Sequence, residues 1–345
     1  MMSASHLGSA AMLFDPARHE PLLAAAWDPQ RARAAIDWII GDAEATCPTD
    51  SYWPLHPKDL EPGREPQQPS TELYFGAAGV IWAIRYLRAV GAVTGGAARQ
   101  WDLEQLRERH RSALLAQGSH DFGAYLVGEL PIEMMRWEDG AGEAAAARIA
   151  ALIDDNIDHP ARELMWGSPG ALLAASFLHE RSGEARWAEA YRRIAARLRE
   201  QLLWSEEHGC HYWTQDMYGR RSTYLGAVHG FVATAFALIR GRHLLGPPDW
   251  QFWQQCIAGT VTRTASRAGE LANWRPELDE PSHRPPKMLV QFCHGAPGFV
   301  ICLAAFPATN STICSSPPAR PSGPPGRWRR DRTCAKAPPA TATRS

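Results

Sequence analysis

Five times in this chain a glycine turn is followed at once by a run of apolar residues, and this recurrence constrains the fold more than any other feature. The copies are Phe75-Gly-Ala-Ala-Gly79 before residues 80–87, a weaker Val127-Gly-Glu-Leu-Pro131, Trp166-Gly-Ser-Pro-Gly170 before 171–178, Val228-His-Gly-Phe-Val232 before 233–239, and Cys293-His-Gly-Ala-Pro-Gly298 before 299–306. The repeat glycines Gly76, Gly128, Gly167, Gly230 and Gly295 are 52, 39, 63 and 65 residues apart, room each time for a loop, an outer helix and an inner helix. Charged, Ala-rich segments with helical spacing lie between them, at 101–117, 142–157 and 185–204. In the last of these, Trp187, Tyr191, Ile194, Ala195 and Leu198 follow the three-and-four spacing of one buried face. Amphipathic helices alternating with apolar ones predict two shells, a wet outer ring around a buried inner one. Glycines at the mouths of the inner helices permit tight turns and close backbone approach. Ordinary turns in a helical bundle are the plainer alternative. No strand alternation of any length competes, and the expected fold is an all-α, (α/α) toroid.

Composition narrows the class further. The formal net charge is −1, so nothing global points to nucleic acid or an anionic membrane as partner. No apolar run approaches the roughly 18 residues that cross a bilayer. Asp15, Arg18, His19 and Glu20 interrupt the early apolar residues, unlike a signal peptide. The seven cysteines, at 47, 210, 256, 293, 302, 314 and 334, form no regular framework, which fits a reducing cytoplasm. The 14 tryptophans suggest tight helical packing or a pocket.

The organisation expected from these patterns is an N-terminal helical region with a loop (1–69), the toroid (70–306) and a tail (307–345). The tail carries seven basic residues against one acid, Asp331, with almost no large apolar residues, and is expected to be disordered. The apolar helix before it runs to Phe306 and stops without a stop signal. A shifted reading frame would produce such text; resequencing that finds one intact frame would refute this.

Three residues carry candidate chemistry. Cys293 precedes a Gly-x-x-Gly turn at the mouth of an inner helix, whose N-terminus favours a thiolate suited to metal ligation or nucleophilic work. The alternative is a buried free cysteine beside a histidine, His294, satisfied by backbone. His229, in Thr223-Tyr-Leu-Gly-Ala-Val-His-Gly230, is read as holding the matching position in another repeat, so the two could face one cavity, where the histidine could give or take a proton. Otherwise His229 is a satisfied core histidine. Glu163, four residues before Gly167, stands at the approach to a third mouth, where it could orient the histidine or hold a substrate amine, or be a surface or capping carboxylate.

These segments resemble the lanthionine-synthetase-C-like (LanC-like) family. The matching pieces are Phe-Gly-Ala-Ala-Gly, Glu-Leu-Met-Trp-Gly-Ser-Pro-Gly, Leu-Gly-Ala-Val-His-Gly, Asn273-Trp274 and Phe-Cys-His-Gly-Ala-Pro-Gly, together spanning about residues 70–306. The resemblance implies six or seven inner helices around a central Zn²⁺, held by Cys293 and by a later Cys-His pair, with a fourth position open for a substrate thiol. It implies addition of a cysteine or glutathione thiol to dehydroalanine or dehydrobutyrine in a peptide. His229 would then protonate the enolate, and Glu163 matches an acidic residue near the site. No Cys-His pair follows Cys293 in this sequence: Cys302, Cys314 and Cys334 are not followed by His. Two implied ligands and the last one or two hairpins are therefore absent, so the toroid is expected to be incomplete at its C-terminus, apolar inner-helix surface to be exposed, and activity to be impaired. Two other functions fit a toroid: a carbohydrate-active enzyme using two carboxylates among Glu72, Glu129 and Glu163, and a non-catalytic peptide-binding module.

Overall fold

A computed structural model describes residues 26–48, 51–56, 69–95, 99–279 and 288–307. The expected tail beyond Pro307 lies outside the described residues.

The helices follow the two-shell plan. The outer ones are α1 (Pro29–Thr46), α3 (Leu103–Ala116), α5 (Gly142–Asn156), α7 (Ala185–Glu200) and α9 (Pro247–Arg263). The inner ones are α2 (Ala77–Ala89), α4 (Leu130–Arg136), α6 (Ser168–Ser182), α8 (Phe231–Arg240) and α10 (Ala296–Cys302). Inner helices pack side by side as α2 on α4, α6 on α8 and α8 on α10, and α4, α6 and α8 each pack against the outer helix that follows. The five inner helices among the described residues compare with the six or seven that the resemblance implies.

Sequence chemistry explains the two shells. α7 is strongly amphipathic, and its five predicted face residues, Trp187, Tyr191, Ile194, Ala195 and Leu198, are all buried. Burying a side chain such as Ile194 or Leu198 contributes about 1.5–3 kcal/mol. α6 is apolar nearly all round, and ten of its residues are buried, as an inner helix requires. The main core joins α5–α9 through Trp187, Trp213 and Trp253, all fully buried. Trp213 stacks on Phe231 (5.1 Å between ring centres) and donates its indole N–H to Leu198 O (2.9 Å). A smaller core gathers Tyr52, Ile81, Leu106, Ile132 and Met135 around α2–α4.

The helices at the two ends of the inner series keep apolar side chains in the open. On α2 these are Trp82 and Tyr86, stacked at 5.4 Å, and on α10 they are Val300 and Ile301. In mid-series, α8 buries eight of its ten residues.

Two local readings change. The segment 185–204, expected as one helix, ends at Glu200, and Trp204 falls in a strand. Three short antiparallel ribbons decorate the helices: β1 (Leu203–Ser205) with β2 (Cys210–Tyr212), β3 (Gln215–Met217) with β4 (Arg220–Ser222), and β5 (Ala265–Ala268) with β6 (Leu271–Trp274). At three or four residues per strand they are too short to leave an alternating pattern in the sequence.

Candidate functional site

The mouths of the inner helices share one backbone design. α2, α6, α8 and α10 are all N-capped by their repeat glycines. In three copies the residue after the glycine donates its N–H to the carbonyl seven residues back: Ala77 to Ser70 (2.9 Å), Glu129 to Phe122 (2.8 Å) and Phe231 to Tyr224 (3.0 Å). Successive mouths are then tied together, Tyr74 N to Leu126 O (3.0 Å), Leu126 N to Met165 O (3.1 Å) and Ala227 N to Cys293 O (3.1 Å). Gly226 is obligatory at the last of these ties, because a Cβ there would run into the Cys293 carbonyl.

Between the third and fourth mouths the tie is made by side chains. His229 donates its Nδ1–H to Glu163 Oε2 at 2.8 Å. Glu163 is fully buried and also accepts the backbone N–H groups of Met165 (3.0 Å) and Trp166 (2.6 Å). Three donors suit an ionised, acceptor-only carboxylate. Glu163 thus fastens the turn ahead of α6 without capping the helix itself, is buried where a surface carboxylate was one of the expectations, and is hydrogen-bonded to His229. With Nδ1 engaged, Nε2 is the nitrogen left to give or take a proton. The imidazole lies beside the Trp166 ring (5.7 Å, 20° between planes), with Tyr218 edge-on at 6.2 Å and Tyr224 at 6.0 Å.

Tyr224 carries the arrangement toward Cys293, its ring 5.8 Å from that of His294. The Cys293 thiol is half-buried, not sealed in the core, and its Sγ lies 3.6 Å from Gln291 Oε1. Buried Asn273 clamps this loop at both ends, donating from Nδ2 to Leu289 O (3.0 Å) and accepting at Oδ1 from Ala296 N (2.8 Å). Its neighbour Trp274 stacks on Phe299 of α10 at 4.2 Å. This gives a physical reason for the Asn-Trp pair in the sequence.

His229 and Glu163 are therefore brought together, and Cys293 sits on the adjoining mouth. Trp166, Tyr218 and Tyr224 line the site without having been singled out from sequence. Trp166 and Tyr224 lie inside the glycine motifs, a usable signal; Tyr218 had none. The other candidate carboxylates are committed elsewhere. Glu129 is fully buried between Arg111 (2.8 Å) and Arg148 (3.0 Å), and Glu72 is hydrogen-bonded to Ser70.

A series of glycine-mouthed inner helices inside a set of amphipathic outer ones fits an all-α toroid, with a carboxylate–histidine pair between two of its mouths and a cysteine at the next. The sequence model of the lanthionine synthetase C-like proteins matches residues 58–312, and the chain belongs to that family. No individually curated protein is significantly similar to it. Among the described residues, no helix is long and apolar enough to cross a membrane.

Proposed function

We propose that the chain acts on dehydrated peptides, adding a thiol across the Cα=Cβ bond of dehydroalanine or dehydrobutyrine to leave a thioether. The thiol would be that of a cysteine in the same peptide or of glutathione. The observation that carries this reading is the His229–Glu163 hydrogen bond at a mouth whose neighbour presents Cys293. As the sulfur bonds to Cβ, the π electron pair moves to Cα and the carbonyl as an enolate. The His229 imidazolium then supplies a proton to Cα from Nε2, while the thiol's own proton has gone to solvent. Glu163 would hold the ring in one orientation through the Nδ1 hydrogen bond, leaving Nε2 toward the substrate.

Zinc, which the family resemblance implies, would find only part of a site among the described residues. Catalytic zinc takes three protein ligands. Among the described residues the one cluster of three His, Cys, Asp or Glu groups is Glu207, His208 and Asp279, which does not include Cys293. Cys293 alone does not make a three-ligand site. Cys293 is the one implied ligand that the described residues bring to the site, and His229 with Glu163 would handle the proton.

The test is mass spectrometry of a dehydroalanine peptide incubated with glutathione and the purified chain, beside a His229→Ala variant. An adduct formed above the uncatalysed rate and lost in the variant supports the reading. Wild-type protein at the uncatalysed rate, or an equally active variant, overturns it.

A further inference from the structure

Strands β3 and β4 pair with Met217 opposite Arg220, so they are joined by the two residues Tyr218 and Gly219. Both have positive φ, 54° and 69°. A two-residue hairpin turn with φ > 0 at both positions favours Asn, Asp or Gly at the first. A bulky aromatic residue there is a conformational outlier. Strain of this kind persists where the surroundings enforce it, and it clusters at functional sites.

The surroundings do enforce it. Gln215 is buried, accepting Tyr224 N–H at Oε1 (2.7 Å) and donating from Nε2 to Trp213 O (3.2 Å). Asp216 N donates to Pro160 O (3.1 Å), and the Arg162 guanidinium reaches Thr214 O (3.3 Å). Arg162 itself has φ 45°, so a second strained residue fastens the hairpin base to the third mouth. Arg221 closes on Asp216 across the ribbon (2.8 Å). The base is therefore fixed against the third and fourth mouths, and the tip is aimed over the ring pair between them.

What the strained position holds there is not a core side chain. Tyr218 is 70% exposed. Its ring nevertheless stands 5.5 Å from Trp166 and 6.2 Å from His229, at 89° to both. A fixed hairpin tip therefore presents an exposed aromatic wall beside the imidazole and indole of the candidate site, where a ligand at His229 would meet it.

We propose that Tyr218 is a substrate-contacting specificity residue that, with Trp166, grips the flat conjugated amide of a dehydroamino acid above His229. The –C(=CH₂)–C(=O)–N– unit is planar and lies against an aromatic face. The serine from which it forms is tetrahedral at Cα, carries a hydroxyl and does not. Tyr218 then selects dehydrated peptide over its hydrated precursor. This rests on the function proposed above, as it specifies how that site recognises its electrophile.

The experiment is fluorescence anisotropy with a labelled short peptide carrying one dehydroalanine, beside the same peptide with serine, titrated with wild-type, Tyr218→Phe and Tyr218→Asn protein. Thermal unfolding is measured in parallel. Wild type should bind the dehydro-peptide more tightly than the serine peptide, and Tyr218→Phe should keep that preference because the ring remains. Tyr218→Asn should weaken dehydro-peptide binding roughly 2- to 12-fold, the range for one aromatic contact, and abolish the preference. It should also melt higher, since Asn suits the turn. Opposed changes in stability and binding are what a merely structural tyrosine would not give. Three results overturn the proposal: wild type that does not bind or does not discriminate, Tyr218→Asn that binds like wild type, or Tyr218→Asn that melts lower. Tyr218-dependent binding without thiol addition would refute the catalytic reading and leave this one standing.

Discussion

Glu163→Gln tests the centre of the site with a change of one atom. The carboxylate accepts two backbone N–H groups, Met165 on Oε2 and Trp166 on Oε1, together with His229 on Oε2. A glutamine has one oxygen and one NH₂. Whichever way the amide turns, its NH₂ faces one of the two backbone donors, so one N–H loses its acceptor beside a fully buried side chain. A hydrogen bond to a charged acceptor contributes about 1.5–3 kcal/mol. With a urea slope on the order of 3 kcal/mol/M, the unfolding midpoint should fall by about 0.5–1 M. Glu163→Ala strands both backbone donors and leaves a void, so it should lower stability by roughly 3–5 kcal/mol. Urea titration followed by tryptophan fluorescence reads both variants. A Gln midpoint within ~0.1 M of wild type, or an Ala variant no weaker than Gln, would refute the claim that this carboxylate fastens the third mouth to the fourth.

Buried His110 has its pKa lowered by desolvation, against the opposing pull of Glu72 and Glu129. Its Nδ1 faces Thr71 Oγ1 (2.9 Å) and its Nε2 faces Val127 O (3.2 Å), contacts that satisfy a neutral ring. The unfolded chain therefore binds a proton that the folded chain does not, and stability should fall as pH drops below about 6.5. Urea midpoints between pH 7.5 and 5 should show this slope, and His110→Gln should flatten it. Cysteine alkylation at pH 8, mapped by peptide mass, should mark Cys293 ahead of Cys47, Cys210, Cys256 and Cys302. All four of these are buried and their thiols pushed up by desolvation, Cys256 and Cys302 to about 12. Equal labelling of Cys256 would contradict the burial of its thiol in the main core.

The repeat was legible because its cause is local. Each mouth needs a residue without a side chain where the backbone doubles back, so the glycines stand in the text at every copy, and the apolar run behind them is the inner helix itself. The face of α7 was legible for the same reason: one helix carries its own periodicity. The site was half legible. The repeat places both His229 and Cys293 at helix mouths, and the structure puts these on adjoining mouths, but the register differs from the expected match: His229 directly precedes its capping Gly230, as His294 precedes Gly295, and Cys293 stands one residue earlier. Whether Glu163 faced solvent or the histidine was open in the sequence. Its partners are its own turn and a residue 66 positions away, and only packing of α6 against α8 brings these together. Tyr218 left no trace at all. It lies in the turn between two three-residue strands whose amphipathic period is too short to detect, and that turn breaks the residue preference by which such turns are found. A tyrosine at that position reads in the sequence as evidence against a hairpin. In the fold it becomes the feature that most needs explaining. Where local preference and tertiary structure disagree, the disagreement points to function, and here it points to the ring beside His229.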